Sequence, residues 1–208
     1  MNYTSGRIGL TILLTLIAGE TLMAIEEAKH QVILKDGPFE LREYEPHILA
    51  EVEISGDMES ASSQAFRPLF NYISGENRKQ EKVAMTTPVA QEQASEKISM
   101  TTPVSQERKS DAWAISFMMP ASYSMETIPT PTNSQVKIRQ VPARKVATIR
   151  YSGFWDEKGY SSHKAKLESW IADQGLEIAG PAIWARFNAP YTPWFMRRNE
   201  VQIPVLSP

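Results

Sequence analysis

The 208-residue chain contains no cysteine and only three histidines. The absence of cysteine excludes disulfides, iron–sulfur clusters, thiolate zinc sites and a thiol nucleophile. His30, His47 and His163 are far apart in the sequence and lack a ligand spacing such as H-x-x-x-H, so none of them predicts a metal site. The chain also lacks a G-x-S-x-G elbow, a P-loop and a G-x-G-x-x-G loop. No ordinary hydrolase or nucleotide enzyme is visible, and no catalytic residue is predicted.

An excess of either charge is also missing, since the formal net charge is only −2. Proteins that bind nucleic acid concentrate positive charge on one face, so no nucleic-acid partner is expected. Apolar residues make up 42% of the chain and charged residues 22%, as is usual for a globular protein. The length suits one domain, or two very small ones, with a sizeable core.

The N-terminal residues differ in character from the rest of the chain. Arg7 precedes an uncharged apolar run over residues 8–19, and Glu20 interrupts that run. A comfortable transmembrane helix needs about 20 apolar residues, so the run is short for a membrane span. A basic start, a short apolar run and small residues after it are typical of a secretory signal peptide.

These features divide the chain into a signal peptide or N-terminal hydrophobic segment, residues 1–24, and a folded domain, residues 25–208. Export, with a periplasmic destination, is the preferred interpretation, and the lack of cysteine is compatible with an oxidising compartment. Two alternatives remain open: an uncleaved anchor, which would give membrane contact, or a cytosolic product that starts at Met23.

A long internal repeat organises the remaining sequence. Residues 39–57 align without a gap on residues 136–154, 97 positions further on, so that Arg42 corresponds to Arg139. Each copy contains alternating apolar positions, a prolyl turn and a second alternating segment that ends at Ser-Gly. Alternation of this kind predicts two strands in each copy.

A helix is predicted after each copy. Asp57 is a plausible N-cap for the first helix, with Gly75 at its end, and the second helix is expected from about Asp156 to Gln174. Extended segments then follow at 83–89, 96–104, 112–119, 182–188 and 199–205. The predicted fold class is α+β: a pseudo-two-fold, distorted β-barrel built from two β-β-α-β-β repeats with two flanking helices.

A shorter repeat lies inside the first half, where "EKVAMTTPV" (81–89) returns as "EKISMTTPV" (96–104). The motif contains no base, no paired carboxylates and no phosphate-binding glycine, so it does not predict catalysis. Thr-Thr favours β structure and proline is confined to strand ends, edges or bulges. Each copy is therefore interpreted as a strand that leaves the sheet at its proline.

Two segments are chemically unusual. The first helix carries Phe66 and Phe70 beside Arg67, and the C-terminal segment 186–201 combines prolines, aromatic residues and arginines. An apolar aromatic loop with arginines at its rim suits a flat hydrophobic ligand that carries carboxylates. Alternatively, the aromatic residues belong to the core and the arginines pair with Glu200 or with a helix end.

At these residues the chain resembles the SOUL/heme-binding protein family. The resemblance rests on "FELREYEP" (39–46), "AFRPLFNYISG" (65–75), "EKVAMTTPV" (81–89) and "FNAPYTPWFMRRNEV" (187–201). It covers most of residues 25–205 in the expected order, and it implies a distorted pseudo-symmetric barrel with two helices. The N-terminal extension resembles that of exported bacterial members.

The resemblance also implies a function and a site. Members are associated with heme and other tetrapyrroles, which bind in a shallow apolar groove between the first helix and the C-terminal proline-rich loop. The chain is therefore expected to bind heme without catalysis, as a carrier or sequestering protein. A binder of another amphipathic small molecule, or an enzyme acting on one, is the alternative. The groove residues implied are Phe66, Arg67, Phe70, Lys82, Tyr191, Trp194, Phe195, Met196 and Arg197.

No iron ligand is assigned by the resemblance. Some members carry a proposed histidine ligand directly after the arginine of the first strand, where this chain has Glu43. Met196 is the fallback, because a thioether can ligate heme iron. The sequence thus leaves the metal ligand unknown.

The export hypothesis makes a direct prediction about the native protein. N-terminal sequencing of protein from the source organism should find a mature start between about Gly19 and Glu26, because a signal peptidase cuts just after the apolar run. A cytosolic protein that begins at Met1 or at Met23 would contradict the hypothesis.

Overall fold

Among the residues that the structure describes, two α-helices lie against one face of a ten-stranded antiparallel sheet. The computed structural model describes residues 25–80 and 94–206. The helices are α1 (Met58–Ile73) and α2 (Glu157–Asp173). The strands are β1 (His30–Asp36), β2 (Phe39–Tyr44), β3 (His47–Ser55), β4 (Asn77–Arg78), β5 (Val104–Lys109), β6 (Ala112–Met118), β7 (Thr130–Pro131), β8 (Lys137–Val141), β9 (Arg144–Tyr151), β10 (Glu177–Ile178), β11 (Ile183–Arg186) and β12 (Asn199–Leu206).

The strand order of the sheet is β1-β2-β9-β12-β11-β5-β6-β3-β8, and β10 adds to β12. Leu41 on β2 pairs with Ala147 on β9, while Ala50 on β3 pairs with Ile138 on β8. In the long repeat Leu41 corresponds to Ile138 and Ala50 to Ala147. The two strand pairs therefore have the same register. The centre of this arrangement is the contact between β5 and β11. The order from β2 to β8 is symmetric about this contact when β2, β3, β5 and β6 are exchanged with β8, β9, β11 and β12, while duplication as its origin stays a prediction.

Each helix begins at an aspartate, as the sequence predicts. Asp57 accepts hydrogen bonds from the backbone N–H groups of Glu59 and Ser60, and Asp156 accepts one from Gly159. These bonds satisfy donors that have no partner inside the helix. Gly56, directly before the first cap, has a φ of 118°, and Gly153, three residues before the second cap, has a φ of 151°. Residues other than glycine rarely adopt this region.

The hydrophobic core lies between the sheet and the helices. α1 packs on β3 and β6, and α2 packs on β9 and β12. From α1 the fully buried Leu69 and Tyr72 enter this core, and from α2 Leu167 and Ile171 do so. The positions predicted to face inward on the second helix, Tyr160, Leu167, Trp170 and Ile171, are confirmed as buried.

The interpretation of the short repeat is wrong for its second copy. Residues 96–103 form no strand, and β5 begins at Val104, after the proline instead of before it. The Thr101 hydroxyl donates to the carbonyl of Met118, and the Thr102 N–H bonds to Glu26. Isolated hydrogen bonds to distant parts of the chain therefore take the place of a sheet ladder here. The first copy, 81–89, and the strand predicted at 83–89 lie outside the described residues.

The sheet is a curled half-barrel, not a closed barrel, since β1 and β8 each pair on one side only within the described chain. A cavity of about 50 Å³ lies on the face opposite the helices. Its lining comes from eight different strands and includes His30, Tyr44, His47, Ser105, Ser116, Arg144, Ile183 and Gln202. The sheet must curve around this cavity, so the helices lie on the convex face.

Buried ion pairs cross the concave face. Arg42 on β2 donates to Glu200 on β12 at 2.8 Å, passing over β9, and Arg198 reaches the same carboxylate at 2.8 Å. Glu200 has no exposed surface. Burial alone would raise the pKa of Glu200, but the hydrogen bond from Arg42 and the charges of Arg42 and Arg198 outweigh it and lower that pKa. The carboxylate is therefore ionised at neutral pH.

The other half of the sheet carries a related arrangement. Arg139, the counterpart of Arg42 in the long repeat, donates to Glu51 on β3 at 2.7 Å. Lys109 on β5 reaches the same carboxylate at 2.6 Å. These bonds lower the pKa of Glu51 even though its burial acts to raise it. Both halves thus hold a buried carboxylate between two basic side chains.

The Glu200 pair makes a prediction about stability. Glu200→Gln removes one of the two carboxylates that pair with the buried Arg42, while Glu40, at 2.7 Å, remains. We therefore expect a loss of about 3 kcal/mol in the free energy of unfolding, the lower end of the range for a broken buried ion pair. Because the folded pKa of Glu200 is lowered, the stability it provides is complete above its unfolded value near 4.5 and is lost as the pH falls further. Urea denaturation at pH 7 and at pH 3.5 measures both effects.

The exposed Glu177→Gln variant is the matched control, and it should change stability by less than about 0.5 kcal/mol. An equal loss in both variants, or a Glu200→Gln protein with undiminished stability at pH 7, would contradict the role given to this pair.

Candidate functional site

A cleft of about 490 Å³ opens on the convex face between the N-terminal ends of α1 and α2. Its floor is formed by β5 and β11, the two strands at the centre of the sheet. The volume falls in the range of about 300–1,000 Å³ that is typical of small-molecule sites. We call it the helix cleft, and its lining is Asp57, Met58, Glu59, Ser62, Ser63, Phe66, Val104, Gln106, Trp155, Asp156, Glu157, Trp184, Arg186, Asn188 and Pro190.

Three aromatic side chains give the helix cleft its apolar surface. Phe66 comes from α1, Trp155 from the loop before α2 and Trp184 from β11. The Trp155 indole nitrogen donates to the side-chain oxygen of Asn199 at 2.8 Å, which fixes the orientation of its ring. Phe66 packs edge-on against Phe117 of the core, with ring centroids 5.6 Å apart. The aromatic surface is therefore held in place before any ligand arrives.

Arg186 lies among these rings. Its guanidinium carbon is 5.4 Å from the centre of the Trp155 ring and 5.1 Å from that of Trp184. One of its nitrogens donates to the hydroxyl of Ser62. Burial lowers the pKa of Arg186 to about 10, so the side chain still carries its charge at neutral pH.

The mouth of the helix cleft is acidic. Asp57 and Asp156 are the two helix caps, and Glu59 and Glu157 are exposed in the first helical turns. Hydrogen bonds from the backbone and side chain of Ser60 lower the pKa of Asp57. Helix N-termini carry partial positive charge, which offsets part of this negative charge.

The residues predicted on the first helix lie at and beside the cleft. Phe66 lines it, and Phe70 stacks on Phe66 with ring centroids 5.9 Å apart and an interplanar angle of 13°. Both rings are more than 40% exposed, in contrast to the buried Tyr72. Arg67 is exposed between them along the chain. The helix therefore presents an aromatic pair to solvent at the side of the cleft.

The C-terminal loop reaches the same cleft through its first residues, Asn188 and Pro190. The aromatic residues predicted further along the loop do not line the cleft. Trp194 stacks on Phe154 at 5.2 Å, and Phe195 packs edge-on against Trp194 at 5.6 Å. Tyr191 and Met196 are exposed. Lys82, the remaining predicted groove residue apart from Arg197, lies outside the described residues.

Arg197 has a structural function in this loop. Its Nε donates to the carbonyl of Thr192 at 2.8 Å, and another nitrogen donates to the carbonyl of Pro190 at 2.9 Å. Its guanidinium carbon also lies 4.3 Å from the centre of the Trp155 ring. The sequence also allowed for an arginine that pairs with Glu200 instead of a ligand. The neighbouring Arg198 forms that pair.

Trp155, Trp184 and Arg186 are among the cleft residues that sequence reasoning did not predict. Trp155 follows the Ser-Gly-Phe end of the second repeat, so it could have been noticed as an aromatic residue at a strand-to-helix junction. Arg186 begins the unusual C-terminal segment but lies at the end of β11. Its proximity to α1 depends on the β5–β11 pairing, for which the sequence carries no local signal.

The histidines do not contribute to the helix cleft. His30 and His47 line the small cavity on the concave face, and His163 stacks on Tyr151 with ring centroids 3.8 Å apart. Over residues 25–80 and 94–206, no group of three or more His, Asp or Glu side chains is arranged to hold a metal ion. Over the same ranges, the helices are too short or too polar to cross a bilayer.

The fold and the cleft together define an α+β half-barrel protein with a preformed cavity of ligand size. A family model described as SOUL heme-binding protein matches residues 25–204, and the chain belongs to this family. Heme-binding protein 1 from Xenopus tropicalis is 28% identical over 169 residues, which cover 80% of this chain and 84% of that protein. The protein of the same name from Xenopus laevis gives the same values.

Solved structures share the fold at low sequence identity. The EcmrR C-terminal domain superposes with a TM-score of 0.58 at 12% identity, covering 86% of this chain and 99% of that one. A hydrolase from Listeria innocua gives a TM-score of 0.53 at 12% identity, covering 84% of this chain and 94% of that one. These similarities establish the half-barrel fold alone.

Proposed function

We propose that this protein binds heme or a related tetrapyrrole in a groove formed by the helix cleft, the Phe66–Phe70 pair and the C-terminal loop 188–198. Membership of the SOUL heme-binding protein family and two relatives named Heme-binding protein 1 support this ligand class. The main support for the proposal is that Phe66 and Pro190, which belong to two separate family motifs, line the same aromatic cleft.

The exposed aromatic surface supports a flat ligand. Phe66, Phe70 and Trp194 are each 42–49% exposed, and Phe195 is 61% exposed. Apolar patches of this kind on a folded protein commonly mark interaction sites. Covering half of one porphyrin face would bury ~200 Å² of apolar surface, worth about 5 kcal/mol before the costs of association. Affinity nearer micromolar than picomolar follows.

The iron atom contributes little in this account. The three histidines lie away from the helix cleft, so stacking and polar contacts to the ligand supply the binding energy. Iron-free protoporphyrin should therefore bind nearly as well as heme. Met196, which is 65% exposed, is the fallback axial ligand.

The mode of action that we propose is non-catalytic. A carrier or sequestering protein returns its ligand unchanged, whereas an enzyme alters the ligand's absorption spectrum or mass with time. Export to the periplasm, as the N-terminal segment suggests, would place the activity outside the cytosol. Contact with a membrane would require that segment to stay attached.

Titration of the protein with heme and with protoporphyrin IX tests the proposal. Wild-type protein should saturate with both, with dissociation constants within about threefold of each other, and the bound spectrum should stay constant over hours. Phe66→Ala and Trp194→Ala should each weaken both ligands by about tenfold, because each removes about 1–3 kcal/mol of stacking surface.

Ile33→Ala is the matched control, since Ile33 is 48% exposed on the edge strand β1, outside the helix cleft. It should bind like wild type. The absence of saturable binding in wild type would refute tetrapyrrole binding, while equal affinity in all the variants would refute the groove. A spectrum that changes with time would favour the enzyme alternative.

A further inference from the structure

Most N–H donors of the Arg186 guanidinium have no hydrogen-bond partner among the described residues. A guanidinium group has five N–H donors. The Arg186 guanidinium makes one hydrogen bond, to Ser62, and among the described residues no carboxylate lies within 4 Å of it. A mostly buried charge without a counter-ion is unfavourable for folding. Such a residue is better explained by a partner that arrives from outside the chain.

The other arginines near the groove are either occupied or fully in water. Arg197 uses its donors on the loop carbonyls of Thr192 and Pro190. Arg198 forms ion pairs with Glu27 and Glu200. Arg67 is exposed on α1, where water competes for its donors. Arg186 is therefore the arginine best placed to bind an anionic group inside the cleft.

The surroundings of Arg186 also fix its orientation. Trp155 and Trp184 both lie within cation–π distance of the guanidinium group, with its carbon 5.4 and 5.1 Å from their ring centres. The planar N–H edge of a guanidinium matches the two oxygens of a carboxylate. A carboxylate bound here would be partly shielded from water, which strengthens a charge-assisted hydrogen bond.

The acidic mouth restricts which anions can enter. Asp57 and Asp156 are engaged as helix caps, but Glu59 and Glu157 are exposed beside the opening. A small anion with several charges is repelled by these carboxylates and gains no aromatic contact in return. A large apolar molecule with one carboxylate that reaches inward gains aromatic contact as well, so it is the class of ligand that fits best.

We propose that Arg186 is the carboxylate anchor of the helix cleft, and that the cleft selects flat apolar ligands that carry a free carboxylate. This inference rests on the proposed function and adds to it the polar group of the ligand and the residue that recognises it. It differs from the assignment based on resemblance, in which Arg67, Lys82 and Arg197 hold the acidic groups.

The test compares protoporphyrin IX with its dimethyl ester, which keeps the ring but lacks free carboxylates. Wild-type protein should bind the acid at least about tenfold more tightly than the ester, the size expected for a charged hydrogen bond. Arg186→Gln should lower affinity for the acid to that for the ester and leave the ester unchanged. Arg186→Lys, which keeps the charge but not the planar fork, should give an intermediate ratio.

Arg150→Gln is the control, because Arg150 is exposed on β9 and does not line the helix cleft, and it should keep the wild-type ratio of acid to ester affinity. If Arg186→Gln does not fold, as judged by circular dichroism, the ratio in Arg186→Lys and in Ser62→Ala decides the matter: a reduced ratio supports the anchor. An unchanged ratio in the folded variants, or equal binding of acid and ester by wild type, overturns the anchor and leaves tetrapyrrole binding intact. Wild-type protein that binds neither porphyrin overturns both proposals.

Discussion

The rest of the structure depends on one constraint: charged side chains that are buried on the concave face must be paired with each other. Glu200 is fully buried and its carboxylate is shared by Arg42 and Arg198. Removing a charge from water costs several kcal/mol unless it is closely paired. Arg42 reaches Glu200 across the intervening strand β9, so the pair links β2 to β12. The polar network then fills the concave side and leaves a cavity of about 50 Å³ there.

The position of the helix cleft follows from the way the helices cover the sheet. On the convex face α1 and α2 each cover one half, and the cleft of about 490 Å³ between them is larger than the concave cavity of about 50 Å³. The two helices begin on either side of the central β5–β11 pair, and the helix cleft lies between their N-terminal ends. The cleft is thus a consequence of the near-symmetric arrangement of two β-β-α-β-β units.

Local signals in the sequence predicted much of the fold. The 97-residue repeat predicted the strands that the structure has as β2, β3, β8 and β9, and the aspartate caps located both helix starts. The strand predicted at 96–104 was wrong because its threonines bond to loop and strand carbonyls instead of forming a ladder. A β-favouring composition does not specify which partner a backbone will find.

The site was predictable only where a motif could be read along the chain. Phe66 and the proline-rich loop were recognised from the two segments that carry them, and the structure brings Phe66 and Pro190 into one cleft. Trp184 and Arg186 reach that cleft only through the pairing of β11 with β5, strands about 80 residues apart, as Trp184 opposite Gln106 shows. Contacts of this kind depend on the whole topology, so they become visible only in three dimensions.

The central claim, that the ligand binds on the convex face, can be tested by one measurement. A ¹H–¹⁵N correlation spectrum of the labelled protein, recorded during titration with iron-free protoporphyrin, resolves the indole N–H signals of the tryptophans. The account predicts saturable shifts for Trp155 and Trp184 in the helix cleft, while the ring signals of His30 and His47 in the concave cavity stay in place. Shifts confined to the two histidines, with the cleft tryptophans unchanged, would contradict it.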